Sequence, residues 1–339
     1  MRKVKISDIA SKAGVSISAV SFVLNGKEKE MRISKSVARK IRQVAKKEGY
    51  HPNRAAVSLR TGESKIIGLI VDTISGSFFS RLANVIETEA GKYGYKVIYG
   101  STANGSEGSE QLLRILSQHN VDGYLVMPEA RIESQIASLI KRKNPVVLID
   151  SYFAKLGVPY VMVDNFQGVA DGVSWLYEKG YRRIGFVGSD LDMVQMKDRV
   201  RGYSDTVKAK KLKIPKGLIC ETVYGMENTM LIRKIADYVK KMRPDALMFG
   251  ANYLGVAGLE ALTGLGMSVP ADMGMVCFDD MDIFRLYPPG ITAVEQPIHE
   301  IGHKAVEILM GEMGVIPVSV KKSIMIKGHL VERNSFRVG

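Results

Sequence analysis

Ten short apolar segments recur between residues 65 and 297, and their regular spacing narrows what this chain can fold into. They read IIGLIVD from 66, KVIYGS from 96, GYLVMP from 123, VVLIDS from 146 and YVMVD from 160. IGFVGS from 184, LICETVY from 218, ALMFGA from 246, GMVCFDD from 274 and ITAVEQP from 291 continue the series. Helical patterns fall between most of them, so the alternation predicts βαβ units and parallel sheets. Ten strands point to two sheets. Apolar runs such as Leu69-Ile70-Val71 are far too short to span a bilayer, and no apolar signal core follows Arg2 and Lys3. A cytoplasmic protein is expected, with Cys220 and Cys277 as unpaired small hydrophobes inside strands.

The first fifty residues have a different texture. In ISDIASKAGVSISAVSFVLN, from Ile6 to Asn25, the apolar residues Ile6, Ile9, Ala10 and Ala13 recur at helical spacing. Gly14-Val15 interrupts the pattern and Val20, Val23 and Leu24 resume it, which spells helix, tight turn, helix. The Ser16 hydroxyl suits the N-cap of the second helix. A third helix is predicted from Ser34 to Lys47, with Val37, Ile41, Val44 and Ala45 turned inward. This is the pattern of a helix-turn-helix head.

Charge supports that reading. Residues 1–62 hold 15 Lys and Arg against 4 Asp and Glu, so nearly all of the net +13 sits at one end. Such asymmetry fits a polyanion partner. A membrane surface fits less well, because no long basic amphipathic helix with bulky apolar anchors accompanies the charge. Beyond the head, NRAAVSLR is bounded by Pro52 and by Thr61-Gly62 and predicts a short helix. About eight residues make a marginal helix alone, so it is expected to form with a dimer partner on DNA, with Leu59 as an apolar wedge for the minor groove.

Asp8-Ile9-Ala10, Ala13-Gly14-Val15-Ser16, Ala19-Val20-Ser21, Leu24-Asn25, Gly49-Tyr50, Pro52-Asn53-Arg54-Ala55 and Leu59 together resemble the head and hinge of lac repressor and galactose repressor family transcription regulators. The resemblance extends over essentially the whole chain. It implies a head at 1–50, a hinge helix at 51–62 and a two-lobed body at 63–339, similar to periplasmic sugar-binding proteins, with a ligand cleft between the lobes. The first lobe would hold residues 63–163 plus a late segment near 293–322.

By the family pattern Ile17, Ser18 and Phe22 enter the major groove, while Ser16, Ser21 and Asn25 reach phosphates. Asn53, Arg54, Ala56 and Leu59 are the expected hinge contacts. Phe22 departs from relatives that place an arginine there to read guanine, and thymine methyl groups are the physical alternative. Lys5 departs from a capping threonine and is expected to weaken that cap slightly.

In DRVRGY, Arg199 stands in the Arg-x-x-Gly-aromatic pattern whose arginine binds sugar hydroxyls in the family. Asp150, Asp279 and Asn252 follow predicted strands, where ligands bind in open α/β sheets. Carboxylates that accept and an arginine that donates suit a polyol, and Phe78 or Phe79 offers an aromatic face. Gln296 and Asp164 are further candidates near the lobe crossovers. The reading is therefore a homodimeric repressor of a palindromic operator, controlled by a sugar-like effector; the alternative effector is a purine or a phosphorylated metabolite.

One motif argues for an enzyme. His299-Glu300-Ile301-Gly302-His303 fits the H-E-x-x-H zinc peptidase pattern. However, it opens a helix after Pro297 whose apolar face is Ile298, Ile301, Ala305, Ile308 and Leu309, and no third-ligand segment follows. Gly100 to Gly108 lacks the Gly-Lys-Ser/Thr ending of a phosphate loop, and no G-x-S-x-G elbow is present. No catalytic residue, metal or cofactor is expected.

Overall fold

The computed structural model describes residues 4–50, 58, 62–73, 76–102, 106–129, 132–190, 192–212, 217–317 and 322–337. The chain divides into two compact units, Met1–Ser64 and Lys65–Gly339. The expected hinge contacts Asn53, Arg54, Ala56 and Leu59 lie outside the described residues.

In the first unit, α1 (Ile6–Ala13), α2 (Ile17–Leu24) and α3 (Lys35–Lys47) enclose a small core of Ile9, Ala10, Ala13, Val20, Val23, Ala38, Ile41 and Ala45. Gly14, at φ 69°, ends α1 in the left-handed region, and α2 departs at 105° to it. Ser16 Oγ accepts from the Ala19 N–H at 3.1 Å, and Ser34 Oγ caps α3 through the Val37 N–H at 3.3 Å. Lys5 gives α1 no side-chain cap, but Asp8 Oδ2 accepts from the Lys5 backbone N–H at 2.8 Å. The first turn thus keeps one half of a capping box.

The second unit begins with β1 (Ile66–Val71), α4 (Ser77–Lys92), β2 (Lys96–Ser101), α5 (Ser106–Gln118), β3 (Gly123–Val126), α6 (Glu133–Lys141), β4 (Val146–Ile149) and β5 (Tyr160–Val163). The chain then crosses to α7 (Asn165–Glu178), β6 (Ile184–Ser189), α8 (Val194–Ala209), β7 (Ile219–Thr222), α9 (Asn228–Met242) and β8 (Ala246–Phe249). These lead into α10 (Asn252–Gly264), β9 (Gly274–Phe278), α11 (Asp282–Leu286) and β10 (Thr292–Glu295). It ends with α12 (Ile298–Glu312), β11 (Ser323–Ile326) and β12 (His329–Val331).

Among the described residues the strands form two six-stranded sheets of matching order, β11-β5-β4-β3-β1-β2 and β12-β10-β9-β8-β6-β7. β3, β4, β8 and β9 are buried along their whole length, as parallel strands covered by helices on both faces must be. β12 is the exception in direction, running antiparallel to β10.

The late segment divides differently from the expected 293–322. β10 pairs with β9 in the register Thr292↔Val276 and so belongs to the second sheet. The return to the first lobe comes after Glu295: α12 packs on α4 and on β3 to β5, burying Ile298, Ile301, Ala305, Ile308 and Leu309, and β11 joins β5 as far as Ile326. Among the described residues no single helix is long and apolar enough to cross a membrane.

Candidate functional site

The polar residues of the body gather at the C-terminal ends of the strands, where open parallel sheets leave a crevice. Asp72 follows β1, Asp150 follows β4, Asp190 follows β6 and Asp279 follows β9. Since both sheets share one strand order, β1 corresponds to β6 and β4 to β9. The four carboxylates therefore form two matched pairs, one member from each lobe. Asp150 and Asp279 also share a left-handed backbone, at φ 68° and 70°, which Asp and Asn tolerate better than most residues.

Arg199, on α8, is 4 % exposed and sits at the centre of this group. Its Nε donates to Asn165 Oδ1 at 2.8 Å and its Nη1 to the Gly250 carbonyl at 2.7 Å. The same Nη1 is 3.7 Å from Asp279 Oδ2, and the guanidinium lies 3.8 Å from the Phe278 ring centroid. Gln296, just past β10, donates to the other Asp279 oxygen at 2.5 Å.

Hydrogen bonds cross between the lobes. Gln195 Nε2 reaches Asp150 Oδ2 at 3.4 Å, and the Tyr224 hydroxyl donates to Asp72 Oδ2. The Tyr224 backbone N–H is itself held by Asp190 Oδ1 at 2.8 Å. Burial pushes the Asp150 carboxyl up to about 6; Arg199 opposes the rise, and the negative charges of Asp279 and Asp72 add to it.

Arg199, Asp150, Asp279 and Gln296 are thus brought together. Asn252 starts α10 two residues beyond Gly250, and its Oδ1 accepts from the Tyr253 N–H at 2.7 Å. Asp164 caps α7 by accepting from the Gln167 N–H at 2.9 Å. Phe78 is packed in the core of the first lobe with Val71 and Leu82, and Phe79 lies edge-on to it at 5.3 Å between centroids. Their faces are taken up largely by packing, because α4 carries them inward at its first turn.

On the head, α2 turns Val20 and Val23 into the core, so positions 17, 18, 21, 22 and 25 fall on the opposite side. Ile17 is 52 % exposed, Ser18 and Asn25 are exposed, and Ser21 and Phe22 are half-buried. Asn25 Nδ2 donates to the Ser21 carbonyl at 2.6 Å, which ties down the end of this face.

Comparison with known proteins decides the family. Residues 5–53 match the model of bacterial regulatory proteins, lacI family, and residues 173–336 match the periplasmic binding protein-like domain. The chain carries a LacI-family head domain and a periplasmic-binding-protein-like domain.

Among its relatives are the HTH-type transcriptional repressor CytR of Escherichia coli strain K12 and catabolite control protein A of Priestia megaterium. The first is 26 % identical, covering 91 % of this chain and 89 % of CytR. The second is 28 % identical, covering 97 % of this chain and 98 % of its own. The lac repressor dimer bound to operator and the anti-inducer ONPF has the same fold, with a TM-score of 0.86 at 20 % identity over 98 % of this chain and 99 % of that one. The family is one of DNA-binding regulators, not enzymes.

Within this periplasmic-binding-protein-like body, the Arg-x-x-Gly-aromatic pattern proves to be one structural unit. A Cβ on Gly202 would stand 2.4 Å from the Phe166 carbonyl oxygen, so only glycine lets α8 lie this close to α7, the helix that carries Asn165 to Arg199. Tyr203 is fully buried and donates to the Ile184 carbonyl at 2.8 Å.

Sequence reasoning missed Asp72, Asp190, Asn165, Gln195 and Tyr224. The first two were within reach, since IIGLIVD and IGFVGSD end as VVLID does. The H-E-x-x-H segment resolves into packing: His299 is exposed, while His303 Nδ1 lies 2.9 Å from Glu89 Oε2. Hydrogen bonds from Lys92 and then His303 hold the buried Glu89 below the usual carboxylate range. Among the described residues no group of three or more His, Cys, Asp or Glu could hold a metal ion.

Proposed function

We propose that this LacI-family protein is a cytoplasmic, homodimeric repressor that binds a palindromic operator, and that a small polyhydroxylated effector in the cleft sets its DNA affinity. The observation that carries the effector reading is the buried Arg199 among Asp150, Asp279 and Gln296 at strand ends of both lobes. A polyol offers alternating donors and acceptors to such a group. A phosphorylated metabolite would bring negative charge against Asp72, Asp150 and Asp279, while Arg199 already bonds to Asn165 and Gly250. The sugar class is therefore favoured over phosphates.

On the DNA side, Ser16, Ile17, Ser18, Ser21, Phe22 and Asn25 present one face to a major-groove half-site. Two-fold symmetry of the dimer would match a palindrome, with the hinge and Leu59 at its centre. An effector that favours one lobe arrangement changes the relation of the two hinges, and this coupling is reciprocal.

Thermal-shift screening of the full chain against sugars, nucleosides and purines tests the effector reading, since a ligand of the folded state raises its melting temperature. A sugar that stabilises the protein and loosens its hold on operator DNA is expected, and Arg199→Ala should abolish that response while operator binding by the unliganded protein persists. An Arg199→Ala variant that still responds normally would refute the assignment.

A further inference from the structure

We infer that the effector carries a protonated amine, as on an amino sugar, and that the carboxylates of the cleft are arranged to receive it. The inference rests on the reading of this cleft as the effector site and adds the charge of the ligand.

Its basis is an imbalance of charge and of hydrogen-bond type. The charges of Asp72 and Asp279 act on Asp150, and Asp190 joins them through Tyr224. Among the described residues Arg199 stands against these carboxylates, and its Nε and Nη1 already donate to Asn165 and Gly250.

A second observation concerns hydrogen-bond type. Gln195 and Gln296, 7 % and 4 % exposed, each turn their amide nitrogen to a carboxylate, Asp150 and Asp279. That orientation leaves Gln195 Oε1 and Gln296 Oε1 buried without a hydrogen-bond partner among the described residues. Buried acceptors in that condition are costly unless a donor arrives. Among the described residues the group is thus rich in acceptors and negatively charged.

Ligand chemistries can be ranked against that inventory. A phosphate brings only acceptors and more negative charge. A hydroxyl brings one donor, but also lone pairs that would face these oxygens. An ammonium brings three donors, no acceptor and the compensating charge. Burial is the main cause of the rise of the Asp150 carboxyl to about 6, and the charges of Asp279 and Asp72 add to it against the opposing Arg199.

Matched probes on the full chain decide it by titration calorimetry at pH 7.5: glucosamine against glucose, galactosamine against galactose, putrescine against 1,4-butanediol, with glucose 6-phosphate as the anion. Charge-assisted hydrogen bonds are roughly twice as strong as neutral ones, so one amine should bind about tenfold more tightly than its hydroxyl partner. Asp150→Asn, which keeps a side chain suited to the left-handed backbone, should reduce that preference to about threefold or less.

A hydroxyl or phosphate probe that matches its amine overturns the inference, as does binding by no amine. Glucose binding that is lost in Arg199→Ala, without amine preference, sinks the charge and spares the effector cleft. Amine binding unaffected by both Asp150→Asn and Arg199→Ala sinks both.

Discussion

Replacing Asp150 by Asn should stabilise the ligand-free protein at neutral pH. In the folded chain the carboxyl titrates near 6 because it is buried beside Asp279 and Asp72, with Arg199 offsetting only part of the effect. Unfolded, it returns to 3.8. The folded state therefore holds the proton more tightly, and this group's contribution to stability falls as pH rises from about 4 to above 6. A difference of roughly two, at about 1.36 kcal/mol each, costs on the order of 3 kcal/mol at pH 7.5 and about 1 kcal/mol at pH 4.5.

Asn is uncharged at both pH values and tolerates the φ of 68°. The variant should melt roughly 6 °C or more above the parent at pH 7.5, with the gap shrinking to about a third at pH 4.5. Trp175 is the single tryptophan of the chain and lies in the core of the body, so its fluorescence follows that unit. Equal melting at pH 7.5, or a gap that does not depend on pH, would refute the argument.

Three further outcomes follow from other contacts. Ser16→Ala removes the acceptor of the Ala19 N–H and should cost about 1 kcal/mol of head stability; hydrogen exchange at Ala19 should speed up, and unchanged protection would sink the cap. Gly202→Ala sets a methyl against the Phe166 carbonyl, which cannot rotate away, and should cost about 1–3 kcal/mol while weakening effector binding through Asn165 and Arg199; a variant that melts and binds like the parent rules this out. Arg333 holds the mostly buried Asp280 through two bonds of 2.8 and 2.6 Å. Arg333→Met should therefore cost about 3–5 kcal/mol, and adding Asp280→Asn should recover most of it. Additive losses in the double variant would show that the pair is not coupled.

The sequence carried most of the architecture because its signals are local. Continuous apolar runs mark strands buried on both faces, and Ser16 and Gly14 mark the turn of the head. Sheet membership is not local: TAVE reads as a strand either way, and only its register against β9 places β10 in the second lobe. The same limit applied to Phe78, since an aromatic residue in a first helical turn looks alike whether it faces a ligand or the core. Arg199, Asp150 and Asp279 were legible because strand ends and a spaced motif announce them. Asn165 and Gln195 were not, because each is defined by a partner at least thirty residues away.

The features that make the cleft readable as a site are the ones that work against the stability of the fold. Left-handed backbone at Asp150 and Asp279, buried glutamine oxygens without partners and carboxylates gathered around one arginine each cost free energy, and none adds to the core. The matched strand order places the same costly residue type at the same strand end in both lobes. A net charge of only about +2 over residues 63–339 conceals this, because neutrality summed over the body says nothing of a pocket in which one sign is concentrated.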